Sequence, residues 1–131
     1  MKIKNLIDSK PTMLYMAQTV DKWKQSYHTD KKGDIVFQNP ATHANVKFTN
    51  NSLHACQHTP RGFENLPQAV EHADEIWSTW ADAKQQTSVL RSYILQGVNI
   101  NYVVQTQDGV ILKAFAVVNS NLNKYRKGVP L

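Results

Sequence analysis

The chain has 131 residues, enough for one domain that buries roughly two-thirds of its unfolded surface. Hydrophobic residues make up 41 % and charged residues 19 %, which excludes a disordered chain, and no apolar run approaches the ~18 residues needed to span a bilayer. Lys and Arg total 15 against 10 Asp and Glu, and the net charge of +5 favours an anionic partner: nucleic acid, anionic lipid or an acidic protein. The excess is uneven. From Asn119 onward there are Lys124, Arg126 and Lys127 and no acid, whereas Glu64, Glu71, Asp74, Glu75 and Asp82 fall close together.

The N-terminus is basic without a sustained apolar stretch, so a soluble domain is expected, cytosolic or excised from a larger protein. Asp8 or Ser9 is a candidate helix N-cap, with Pro11 in the first turn. Over residues 12–27, Met13, Met16, Val20, Trp23 and Tyr27 recur at three- and four-residue spacing and predict an amphipathic helix. Residues 28–33 are a polar break. Residues 34–38 predict a short strand ended by Asn39-Pro40, and residues 46–49 alternate as an edge strand would. Asn51 or Ser52 is placed to cap a short helix over residues 53–57, which Pro60 and Gly62 terminate. Residues 66–73 predict a second brief helix with Pro67 at its start, and residues 74–80 a strand rich in aromatic and β-branched side chains.

Three strands follow, over residues 88–96, 98–106 and 110–119, with a Gln107-Asp108-Gly109 turn before the last. Strict alternation would place Ile111, Lys113, Phe115 and Val117 on one face of the last strand. Both faces are apolar, as in a central strand covered at least in part on both sides. The order predicts an α+β fold: N-terminal helices packed on a C-terminal antiparallel β-meander of about four strands, ending in a polar, basic tail. Residues 1–131 read as a single domain.

Three constellations could carry chemistry. His54 and His58 lie four apart, so a helix would put both imidazoles on one face, as a metal pair, an acid/base pair or surface residues. No acid of the HExxH kind stands between them. His28, His43 and His72 have no such companions. Cys56, the single cysteine, reads as a small half-buried hydrophobe, with a nucleophilic role as the lesser alternative. In the tail, Lys124, Tyr125, Arg126 and Lys127 alternate cation and aromatic in a way that suits phosphate and base, and Asn119, Ser120 and Asn123 add polar groups beside them. Arg91 and Lys113 are cations inside otherwise apolar strands. If both project to one sheet face they would form a phosphate-binding floor; otherwise their stems snorkel to water. Glycine-rich nucleotide motifs and the hydrolase nucleophile elbow are absent, so no cofactor is expected.

The run from the His-bearing helix through Leu66-Pro67-Gln68-Ala69-Val70, Asp74-Glu75-Ile76-Trp77, Tyr93-Ile94, Val103-Val104 and Asp108-Gly109-Val110 to Asn121-Leu122-Asn123-Lys124-Tyr125-Arg126-Lys127-Gly128 resembles nuclease domains of the barnase–EndoU–colicin–RelE superfamily, found in phage head-morphogenesis proteins and bacterial polymorphic toxins. The resemblance covers roughly residues 50–131, making residues 1–50 a helical and strand lead-in to a nuclease-like core. It implies a metal-independent ribonuclease acting on RNA, transfer RNA above all, by attack of the ribose 2′-OH to leave a 2′,3′-cyclic phosphate. In that scheme His54 or His58 would be acid or base, Arg91, Lys113 and Arg126 charge stabilisers and Tyr125 a positioning group, with Lys124, Lys127, Asn119, Ser120 and Asn123 binding substrate. It further implies an acidic immunity protein and export within a larger effector that acts in the cytoplasm of a target bacterium. A non-catalytic nucleic-acid-binding or phage structural module, or a DNase on the same scaffold, is the alternative.

Overall fold

The computed structural model describes residues 4–131; Met1, Lys2 and Ile3 of the basic lead-in lie outside the described residues. The order is α1 (Met13–Ser26), β1 (His28–Thr29), β2 (Ile35–Gln38), β3 (Asn45–Phe48), α2 (Asn50–Gln57), a 3₁₀ turn (Phe63–Asn65) and α3 (Leu66–Glu71). Then come β4 (Glu75–Trp80), β5 (Val89–Leu95), β6 (Asn101–Gln107), β7 (Val110–Val117), a 3₁₀ segment (Asn119–Tyr125) and β8 (Val129–Pro130). The fold is α+β, with a helix at the N-terminus and one mostly antiparallel sheet of eight strands in the order β1-β2-β3-β7-β6-β5-β4-β8. No helix among the described residues is long and apolar enough to cross a membrane.

The sheet is larger than the four strands expected. The antiparallel meander β4-β5-β6-β7 forms its middle. On one side β1, β2 and β3 join through the parallel contact Lys47↔Val110, which also makes β3 an interior strand and not the expected edge. On the other side the chain end folds back as β8 against β4. Short strands of two residues leave almost no periodic signal, which is why β1 and β8 read as loop and tail.

Helix α1 begins at Thr12, whose hydroxyl accepts from the Tyr15 N–H at 3.1 Å. Neither expected cap serves. The Asp8 carboxylate instead grips Arg61 through Nε at 2.6 Å and Nη2 at 3.0 Å. One stripe of α1, Met16, Val20 and Trp23, is buried, and the Trp23 ring stands edge-on to Phe37 and Phe48 at 5.8 and 5.5 Å between centroids. All three helices and one face of the sheet enclose this main core.

Helix α2 starts earlier than expected. Thr49 is the cap, its hydroxyl accepting from the Ser52 N–H while the Ser52 hydroxyl accepts from the Thr49 N–H, a reciprocal capping box. Ser52 Oγ also donates to the Ile111 carbonyl at 2.6 Å, and Thr59 Oγ1 to the Ala114 carbonyl at 2.8 Å. The α2 segment thus satisfies carbonyls along the β7 edge that β3 leaves open.

Two local departures shape the other face of the sheet. Asp108 and Gly109, with φ of 50° and 82°, make the two-residue turn between β6 and β7, both in the left-handed region as a type I′ hairpin requires. A bulge follows: Thr106 faces Ile111 and Gln105 faces Lys113, so Leu112 is an extra residue. Strict alternation therefore fails in β7. Ile111 goes to the main core with Ala114, while Lys113, Phe115 and Val117 share the opposite face.

The basic tail is not a loose segment. Leu122 is buried in a second, smaller core with Ile94, Val103 and Val117 on that opposite face. Gly128 then turns the chain with φ of 89° so that β8 can pair with β4. A Cβ at Gly128 would collide with the Ser78 carbonyl. Gly128→Ala adds about 1–3 kcal/mol of backbone strain before that collision is counted. Hydrogen exchange should show the Leu131 amide, which donates to the Ile76 carbonyl at 2.8 Å, losing protection while the β5 and β6 amides keep theirs.

Candidate functional site

Strand register assembles a row of unlike side chains across four strands. Trp77 pairs with Ser92, Ser92 with Gln105 and Gln105 with Lys113. All four share the face that carries the small core, so an indole, a hydroxyl, a carboxamide and an ammonium stand side by side. The bulge at Leu112 is what leaves Lys113 on this face directly after the buried Ile111. The row floors a cleft of about 460 Å³, with Thr79 and Leu90 beside it.

The 3₁₀ segment and the turn into β8 form the cleft's wall, bringing Lys124, Tyr125 and Lys127 to it. Tyr125 is set by its ring, which lies 4.9 Å from Phe115, and Lys113 Nζ lies 5.8 Å from the same Phe115 ring. Three lysines and no carboxylate line the cleft. None of the three takes part in the four ion pairs formed among the described residues. The resulting field is one-signed and open to an anion.

Arg126 does not reach into this space. Its Nε and Nη2 donate to the two oxygens of Glu75 at 2.8 and 2.7 Å, and Nη1 donates to Asn123 Oδ1 at 2.6 Å. Glu75 also accepts from Trp77 Nε1 at 2.9 Å and from Gln96 Nε2 at 2.6 Å. This bidentate pair fastens the wall to β4 and orients the Trp77 indole. The Arg126 hydrogen bonds hold the Glu75 carboxyl below the usual carboxylate range, outweighing the opposing effect of burial.

The structure brings Lys113, Lys124, Tyr125 and Lys127 together, leaves Arg91 at the border, and separates the other expected site residues. Ser52 and Cys56 face inward from α2, and a residue two further along a helix is turned by about 200°, so His54 and the capping His58 are exposed on the outer side. Neither lines the cleft. Arg91 and Lys113 do not share a face. Arg91 borders the cleft between Leu90 and Ser92, but alternates with Tyr93 toward the main-core side and lines a depression there with Asn45, Thr106 and Asp108. Asn119 accepts from Asn101 Nδ2 at 2.7 Å, Asn123 is taken by Arg126, and Ser120 is exposed away from the lining. Cys56 is fully buried and its thiol is pushed up to about 12 by burial, so it holds no thiolate for nucleophilic attack.

Trp77, Ser92 and Gln105 are additions to the expected set. Each is an ordinary outward residue of an alternating strand, and only the register that aligns them reveals the row. Comparison with protein-family models, with curated proteins and with solved structures finds no match for this chain.

The clip makes two measurable demands. Arg126→Ala should cost about 2 kcal/mol in chemical denaturation and expose the amides of residues 119–131 to exchange, with Arg126→Lys failing to restore the bidentate grip. Because the folded pKa of Glu75 is lowered, its contribution is complete above the ordinary glutamate range and lost as pH falls through that lowered value. Glu75→Gln should flatten this acid limb. Cys56 should resist iodoacetamide in the folded protein and react on unfolding.

Proposed function

We propose that the chain is an RNA-cleaving domain of the kind its sequence resembles, a metal-independent ribonuclease whose active surface is the lysine-lined cleft. The observation that carries this reading is the four-strand row ending in Lys113, faced by a wall that adds Lys124, Tyr125 and Lys127. Such a surface suits a ribose–phosphate backbone. Lysines neutralise phosphate and release counterions, aromatics offer a stacking plane, and a cleft of this volume admits about one nucleotide.

In the reaction the ribose 2′-oxygen bonds to the adjacent phosphorus and its proton leaves to solvent. The bond to the 5′-oxygen breaks, that oxygen takes up a proton, and a 2′,3′-cyclic phosphate remains. Lys113, on the floor, stabilises the extra negative charge of the pentavalent phosphorane; Lys124 and Lys127 hold the flanking phosphates; Tyr125 supplies a hydroxyl and a ring. Neither histidine of α2 is used. Transfer RNA, an acidic immunity protein that masks the lysines, and delivery within a larger effector complete the proposal.

A specific observation favours a second reading, a nucleic-acid-binding module without chemistry: no histidine or carboxylate lines the cleft to act as an ordinary general base. Incubation with total transfer RNA in EDTA separates the two. Fragments ending in cyclic phosphate are expected, with a loss on the order of 10²-fold in Lys113→Ala and none in His54→Ala or His58→Ala. The rate should climb with pH without the bell of a histidine pair. Intact RNA that nevertheless binds would overturn the enzyme and leave the binding module.

A further inference from the structure

We infer that Gln105, held by Ser92, is a base-reading residue, so that the cleft takes an unpaired nucleotide and discriminates between bases. This rests on the proposal that the cleft binds RNA, and extends it from the phosphate to the base.

A phosphate alone needs only the lysines. The row offers more. Three inter-strand spacings of about 4.8 Å separate Trp77 from Lys113, with the hydroxyl and the carboxamide at the two positions between. A nucleotide carries a flat base with polar edges one ribose away from its phosphate. With its phosphate at Lys113 and its base over the middle of the row, it would bring an edge of the base to Gln105 and Ser92, with Trp77 beyond them as a stacking plane.

The groups in the middle are fixed and unspent. Gln105 Nε2 donates to Ser92 Oγ at 3.3 Å, the one hydrogen bond either side chain makes among the described residues. A carboxamide has two N–H donors and a carbonyl acceptor. With Nε2 so engaged, Gln105 keeps one N–H donor and its carbonyl acceptor in a plane. Ser92 is 8 % exposed, and its hydroxyl keeps its own hydrogen to give. A coplanar donor–acceptor pair is the complement of a base edge, and a glutamine can read such an edge bidentately.

The stacking planes beside it are equally constrained. Trp77 Nε1 is committed to Glu75, which fixes the indole edge, and Tyr125 is packed on Phe115. A base inside a duplex has its faces stacked and its pairing edge occupied, so it cannot use this row. An unpaired one can.

The experiment measures binding and cleavage apart. Labelled homopolymers of deoxyadenosine, deoxycytidine and deoxyuridine lack the 2′-OH and report binding alone by fluorescence anisotropy; the corresponding ribo-homopolymers report cleavage. The expected result is a spread of about tenfold or more in Kd between the best and worst base, falling to about threefold or less in Gln105→Met, an apolar replacement of similar length. Lys113→Ala should weaken all three about equally and preserve the spread. Gln105→Asn, which keeps the amide but shortens its reach, should also reduce the spread if Gln105→Met proves poorly folded. A spread unchanged in a folded Gln105 variant, or no spread in the unmodified protein, would overturn the inference. Base-discriminating binding without cleavage would uphold it while sinking the ribonuclease; cleavage without base preference would do the reverse.

Discussion

The carboxylate of Glu75 is the point on which both halves of the cleft depend. It sits at the start of β4, accepts both arms of Arg126, and orients Trp77 and Gln96 with the same two oxygens. The floor belongs to the sheet and the wall to the chain's final segment, so their relative position has to be set by something that spans them. Leu122 supplies the apolar part of that attachment, and the Glu75–Arg126 pair the directional part. A half-buried bidentate pair suits this role, because its fork geometry defines one orientation where apolar contact permits many.

The division of labour among the tail's cations follows from the same contact. Arg126 lies between Lys124 and Lys127 in sequence, yet of the three only Arg126 meets a carboxylate among the described residues, and the two lysines face the cleft. A guanidinium is the better structural fork and an ammonium the more mobile point charge, so the two residue types have separated by chemistry. An eight-stranded sheet with helices on one face has room for this arrangement because the other face, beyond its small core, stays uncovered.

Much of this architecture is legible in the amino-acid sequence. Alternation and turn chemistry place β4 to β7 and the Asp108-Gly109 hairpin to within a few residues, and the 3.6-residue period places α1. Charge and strand position single out the tail lysines and Lys113, and the cleft does collect them. What escapes is everything that depends on pairing. The bulge at Leu112 reverses the parity of β7, and no one-strand pattern announces it. Ser92 and Gln105 become neighbours only through register. The four-residue spacing of His54 and His58 is a true statement about a helix face, but which face looks outward is set by Ser52 and Cys56. Arg126 resembles its lysine neighbours until Glu75, 51 residues away in sequence, claims it.

The hydroxyls of Ser52 and Thr59 bear on how the molecule meets its own kind. A strand with free carbonyls along one side is a template for the main chain of another copy, and sheets with open edges aggregate by adding strands. Along β7 those carbonyls are answered from within, by side chains of α2 and the turn after it. Where β3 leaves the strand that carries Lys113, the Ile111 and Ala114 carbonyls are therefore withheld from a neighbour's main chain, and strand addition is confined to the two-residue strands β1 and β8 at the ends of the sheet.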